Sequence, residues 1–100
     1  MVKVIEDRDS RILNAAMGCA EADGYQWITR EQVAAAAGVS VGTINTAYGT
    51  MRELKRAVLT AAVERRNLAL IAQGLADRHS IVMEAPEALR REAAAHMVTA

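Results

Sequence analysis

The sequence predicts an all-α fold, on three observations. Apolar residues recur at helical spacing and nowhere alternate for long with strand period. Alanine supplies 21 of the 52 apolar residues and phenylalanine none, a composition suited to closely packed helices rather than a thick aromatic core. Cap residues and glycines stand where such helices would start and stop. The expected order is three short helices, a long fourth helix and a C-terminal helix. One hundred residues make one domain, or one domain with an appendage, and can bury only a modest core.

Met1 to Glu6 reads as a loose arm, whose Lys3 is either a phosphate contact or part of a solvated tail. Asp7 or Asp9 caps the first helix, which runs to about Ala22. Ile12, Leu13, Ala16, Met17 and Ala20 form its apolar face. Asp23-Gly24 stops it. Cys19, the single cysteine, excludes an intramolecular disulfide and reads as a small packed hydrophobe. Tyr25, Gln26 and Ile28 lead into the next element.

Thr29 to Tyr48 organises the rest. Thr29 and Gln32 have capping-box spacing, with the hydroxyl accepting from the backbone three residues on and the amide reaching back. Val33, Ala34 and Ala37 give a narrow face of small residues that lets another helix approach. Gly38 stands where a helix closing through a left-handed residue needs glycine. Ser40 caps a second short helix. That helix is expected to bury Ile44 and, at its end, Tyr48, and to turn Val41, Thr43, Asn45 and Thr46 outward. Helix, glycine turn and short helix form a helix-turn-helix, whose second helix enters the major groove of DNA.

Ala37-Gly38-Val39-Ser40-Val41-Gly42-Thr43-Ile44 resembles the Ala-Gly-Val-Ser-x-Gly-Thr-hydrophobic signature of TetR-type transcriptional regulators. Arg11-Ile12-Leu13-Asn14-Ala15-Ala16 and Gly24-Tyr25 fall where that family has its first helix and closing glycine, and Glu53-Leu54 where its fourth helix begins. The resemblance covers roughly residues 8 to 60, with glycines, caps and apolar positions agreeing in register. It implies that the helix start at Thr29, with Arg30 beside it, faces a DNA phosphate, as free backbone N–H groups and the helix dipole favour. The family usually carries a bulky aromatic near the position of Ala20, and Trp27 is expected to fill that volume; the alternative is a stacking or ligand-binding Trp27. The family also commonly has aromatics at the positions of Asn45 and Ala47, a basic residue at Val41 and Lys at Met51. Arg52, Lys55 and Arg56 are the replacement charge, a solvated helix face being the alternative for Lys55 and Arg56.

After Gly49, Thr50-Met51-Arg52-Glu53 is a second capping box. The helix it starts is expected to reach Ala72 or Gln73, with Leu54, Val58, Ala61, Leu68 and Ala72 on one face. Val63, Leu70 and Ile71 widen that face late in the helix. Gly74 to Ser80 reads as a bend, with His79 in solvent. Pro86 suits the first turn of a last helix that places Leu89, Ala93, His96 and Met97 on one side. The apolar residues Leu68, Leu70, Ile71, Ile81, Val82, Leu89 and Met97 exceed the needs of one small domain, so residues 51–100 are assigned as a helical extension that forms a dimer. Residues 1–50 are assigned as the DNA-binding unit with its arm.

Formal net charge is zero. Residues 1–50 hold four basic and six acidic side chains, and residues 51–100 eight and six. Any electrostatic footprint is therefore local. Glycine-rich phosphate loops, nucleophile elbows and zinc spacings are lacking, and Glu31, Glu53 and Glu64 read as cap and surface groups. The chain is expected not to be an enzyme and to need no cofactor or metal. With no secretory h-region and no membrane-length apolar run, the expected compartment is the cytoplasm. The family's larger effector domain has no counterpart in the sequence, so no small-molecule effector is expected, and a compact regulator of this kind would suit a phage or mobile element.

The expected function is a dimeric, sequence-specific regulator on an inverted-repeat operator in double-stranded DNA. Expected contact residues are Thr29, Arg30, Ser40, Val41, Gly42, Thr43, Asn45, Thr46, Tyr48, Arg52 and Lys55. Asn45 is the expected base reader, since no Arg or Lys lies between Ser40 and Tyr48. The alternative is a protein-interaction module, an inhibitor of a host or polymerase-associated factor on the same scaffold.

Overall fold

In the computed structural model, residues 7–99 are described, so the expected N-terminal arm, Lys3 included, lies outside the described residues. They form α1 (Arg8–Asp23), a 3₁₀ turn (Tyr25–Trp27), α2 (Arg30–Ala37), α3 (Val41–Ala47), α4 (Met51–Glu64), α5 (Leu68–Ala76), α6 (Ser80–Met83) and α7 (Glu87–Thr99). The all-α expectation holds; the first three helices start and stop, and the fourth starts, close to where caps and glycines place them. Asp7 caps α1 by accepting from the Ser10 N–H at 2.7 Å. That bond holds the exposed Asp7 carboxyl below its usual range. Gly24, at φ 95°, closes α1.

The long fourth helix is instead two helices. At the end of α4, Arg66 takes the left-handed conformation, φ 55°. The Asn67 N–H bonds the Ala62 carbonyl at 2.8 Å and the Arg66 N–H bonds the Val63 carbonyl at 3.3 Å. This is a Schellman closure. Asn67 then caps α5, its side chain accepting from the Leu70 N–H at 3.2 Å. A second closure of the same kind, through Arg78 at φ 53°, ends α5. There His79 N–H bonds the Gly74 carbonyl at 2.9 Å, and Arg78 N–H the Leu75 carbonyl at 3.0 Å. His79 is not simply solvated, because its Nδ1 accepts from the Ile81 N–H at 3.2 Å at the start of α6.

The break at Arg66 changes what the apolar residues do. It folds α5 back against α4, α6, α7 and α1. Leu70, Ile71, Val82 and Leu89 all end up buried in the chain's own core, and Leu68 and Ile81 partly so. The surplus of apolar surface expected of residues 51–100 therefore shrinks. Trp27, Met83 and Met97 are the exposed large apolar side chains among the described residues. One contiguous core runs from Ile12 and Ala16 in α1, through Val33, Ile44, Leu54 and Val58, to Leu70, Ile71 and Ala93. Gly74 is needed where α5 meets α6: a Cβ there would lie 2.4 Å from Val82 Cγ2. Polar bonds fasten the new turn to α1, from Arg65 Nη1 to Asn14 Oδ1 at 2.7 Å and from Asn67 Nδ2 to Glu21 Oε1 at 2.7 Å.

Candidate nucleic-acid interface

The interface is built on the turn between α2 and α3. Thr29 caps α2, its Oγ1 accepting from the Gln32 N–H at 3.1 Å. The return half of the expected capping box is missing: the Gln32 amide donates to the Asp23 carboxylate, tying α2 to the end of α1. Val33, Ala34 and Ala37 are buried, as their spacing predicts. Gly38 is left-handed, φ 72°, and closes α2 with Val39 N–H bonded to the Ala34 carbonyl at 3.0 Å. Arg11 supports this turn from α1, donating from Nη2 to the Ala37 carbonyl at 2.8 Å. Its signal in the sequence was only a place in the first-helix pattern.

Ser40 caps α3, accepting from the Thr43 N–H at 3.1 Å, and pairs with the Thr43 hydroxyl at 2.9 Å. Ile44 is the buried residue of α3. Those seven residues are held by a cap, a glycine turn, the buried Ile44 and the partly buried Val41 and Ala47, which leaves Gly42, Asn45 and Thr46 exposed. The Thr46 hydroxyl donates back to the Gly42 carbonyl at 3.0 Å. Both threonine hydroxyls are thus engaged within α3, and their methyl groups are the ends left for apolar contact. Asn45 makes no hydrogen bond to its own helix among the described residues, so its amide keeps both donor and acceptor. Val41 is half-buried against the core edge rather than turned fully outward, and Tyr48 is half-buried too. Burial, then the nearby Asp9 and Asp7, raise the Tyr48 phenol above its ordinary pKa and keep it neutral.

The flanking cations differ in their freedom. Arg30, at the first position of α2, is half-buried, and its Nε is shut from solvent with no hydrogen-bond partner. Such a donor calls for an acceptor that the described residues do not supply. Arg52 and Arg56 are exposed on α4. Lys55 donates from Nζ to the Gln26 carbonyl at 2.9 Å, which ties α4 to the 3₁₀ turn, and a phosphate contact by Lys55 requires that bond to open. At the start of α4 the capping box is half as expected: Thr50 Oγ1 accepts from the Glu53 N–H at 3.1 Å, while Glu53 Oε2 accepts from Gly49 N–H at 3.0 Å. Trp27 does not fill the volume beside Ala20. It is 73% exposed, and Tyr25 is the aromatic that is buried.

A short capped helix set on a glycine turn, buried through one isoleucine and carrying polar side chains outward, defines a helix-turn-helix DNA-binding domain. Residues 12–58 match the family model described as bacterial regulatory proteins, tetR family. The chain carries a TetR-type helix-turn-helix domain, the DNA-binding part of a family of transcription regulators. No curated protein and no solved structure matches the chain. Among the described residues no helix is long and apolar enough to cross a membrane.

Proposed function

We propose that the protein is a sequence-specific DNA-binding regulator that reads an inverted-repeat operator as a dimer, with α3 in the major groove. The observation that carries this reading is Asn45, exposed on α3 with an amide unspent on its own helix. Asparagine pairs in bidentate fashion with adenine N6 and N7, and the methyls of Thr43 and Thr46 suit thymine methyls. The half-site is therefore rich in adenine and thymine under α3. Thr29 and Arg30 at the start of α2, with Arg52 at the start of α4, hold phosphates. Ser40, Val41, Gly42 and Tyr48 frame α3, and Lys55 joins once released from Gln26.

The dimer rests on a smaller surface than the apolar composition implies. Met97, exposed near the end of α7, is the large apolar side chain that this helix leaves for a second copy. The test is selection of bound duplexes from a random pool. Enrichment of an inverted repeat of A·T-containing half-sites is expected, with affinity falling steeply as salt rises. No enrichment at low salt would instead favour a protein-binding role for the same scaffold, which the neutral net charge also accommodates.

A further inference from the structure

The side of the domain formed by the 3₁₀ turn and the end of α5 holds a cleft of about 370 Å³ that DNA reading does not use. Its walls include Trp27, Tyr25, Gln26, Gln73 and Asp77. The framework is fixed by internal bonds. The Tyr25 N–H donates to Gln73 Oε1 at 2.8 Å, and Gln73 Nε2 donates to the Ala20 carbonyl at 3.0 Å. The Tyr25 hydroxyl donates to the Asp77 carboxylate. Trp27 is placed by Gly24: a Cβ on that glycine would stand 3.1 Å from the indole Cδ1, and its φ of 95° already disfavours a side chain.

Trp27 in this cleft is not used for packing, and Asp77, which accepts from the Tyr25 hydroxyl, still brings its formal charge there. Trp27 is a large ring left 73% exposed beside a cavity. Asp77 carries the single formal charge among the lining residues, and it has no Lys or Arg in ion-pair contact among the described residues. The Tyr25 bond, then Gln26, hold its carboxyl below the usual range, so it is ionised at neutral pH. An aromatic face beside a fixed carboxylate attracts a cation through the ring quadrupole and through direct charge attraction. The same carboxylate repels an anion, and a neutral molecule gains only the ring. We propose that this cleft binds a small organic cation, an ammonium bearing apolar substituents, held between the Trp27 indole and the Asp77 carboxylate. Its volume is at the small end of ligand sites and fits such an ion. The proposal does not depend on the DNA-reading role of α3.

Trp27 is the single tryptophan of the chain, so intrinsic fluorescence reads the cleft directly. The full chain is titrated with choline and, at matched ionic strength, with its neutral isostere 3,3-dimethylbutan-1-ol. Choline is expected to give a saturable change, with the alcohol binding about tenfold more weakly. Asp77→Asn keeps an oxygen to accept from Tyr25, and should weaken choline by a similar factor while leaving the melting temperature near that of the parent. Trp27→Leu, followed by line broadening of the choline methyl resonance, should abolish binding. A linear response shared with sodium chloride would overturn the proposal. So would equal affinity for the alcohol, or choline broadening that survives in Trp27→Leu.

Discussion

The same backbone closure occurs three times, after α2, α4 and α5, and the three differ in the residue that turns left-handed. After α2 it is Gly38; after α4 and α5 it is Arg66 and Arg78. Glycine takes positive φ without a Cβ clash, whereas an L side chain there costs about 1–2 kcal/mol. The helices that follow differ as well. Beyond Gly38, α3 buries Ile44 alone; beyond Arg66, α5 buries Leu70, Ile71, Ala72 and Gly74. A helix with four residues in the core can impose an unfavourable turn on the chain that leads to it. The α6 that follows Arg78 buries Val82 alone. There the strained turn is held by α5 on one side and by the buried Val82, Ala85 and Leu89 beyond it, whereas at Gly38 the glycine carries no such strain. The presented helix therefore depends on local chemistry, and the buried one on packing.

The largest test of this contrast removes the single anchor. Ile44→Ala should destabilise the domain by about 2–5 kcal/mol in chemical denaturation, the range for deleting a fully buried isoleucine. Since α3 has no second buried residue, the loss should centre on α3, and amide exchange there should rise more than in α5. Equal loss of protection in both helices would mean that α3 is held by more than Ile44.

Second in size is the corresponding intrusion into α5. Gly74→Ala puts a Cβ 2.4 Å from Val82 Cγ2 and 3.1 Å from Val82 Cβ. Overpacking of this kind costs about 1–3 kcal/mol, and helix propensity returns roughly 1 kcal/mol of that. A net loss of stability is expected, and pairing the change with Val82→Ala should recover part of it. A stabilised Gly74→Ala protein would show that α5 and α6 can move apart.

The difference in rule also explains what could be read from the sequence. Thr29, Gly38, Ser40 and Thr50 were legible because each is a residue type selected by the backbone position it occupies, and the cap of α1 was narrowed to Asp7 or Asp9. Arg66 and Arg78 were not, since arginine reads as a good helix former and its positive φ is set by burial of residues further on. With the break unseen, Leu70 and Ile71 extended a stripe along one long helix and looked like a docking surface. A signal was present in Asn67, a good cap directly before Leu68-Ala69-Leu70-Ile71. The two aromatics of the 3₁₀ turn were confused for a similar reason. With about three residues per turn, positions 25 and 27 point in different directions, so one ring can be buried and the other exposed. In α3, the turn, the caps and Ile44 were legible; the inward hydroxyls of Thr43 and Thr46 were not, because they depend on rotamers.

A smaller effect, with opposite signs at the three turns, follows from the left-handed residues. Gly38→Ala has room, since the nearest atom to the new Cβ is Arg11 Nη2 at 3.6 Å, so its cost is the backbone term of about 1–2 kcal/mol. Arg78→Gly relieves the same term and gives back part of it as unfolded-chain entropy, for a net gain of about 0.5–1 kcal/mol. Arg66→Gly should gain less, because it also removes the exposed pair with Glu92 at 2.8 Å. Thermal melts of the three variants test the signs together, and a destabilised Arg78→Gly would contradict the backbone account.

The smallest effect on folding is expected at Asn45, and it separates the two kinds of helix most sharply. Asn45 is exposed and its side chain makes no hydrogen bond among the described residues, so Asn45→Ala removes nothing the fold uses. Its stability should stay within about 0.5 kcal/mol of the parent, the usual range for a surface change. Helix propensity pushes slightly in favour of alanine. On the selected operator the same variant should lose about 1–3 kcal/mol of affinity, and on unrelated duplex much less. Arg30→Ala provides the contrast, weakening all duplexes alike and flattening the salt dependence by about one unit. Equal losses on operator and unrelated DNA for Asn45→Ala would remove Asn45 as a base reader, and a guanine-rich operator would place the reading residues outside α3.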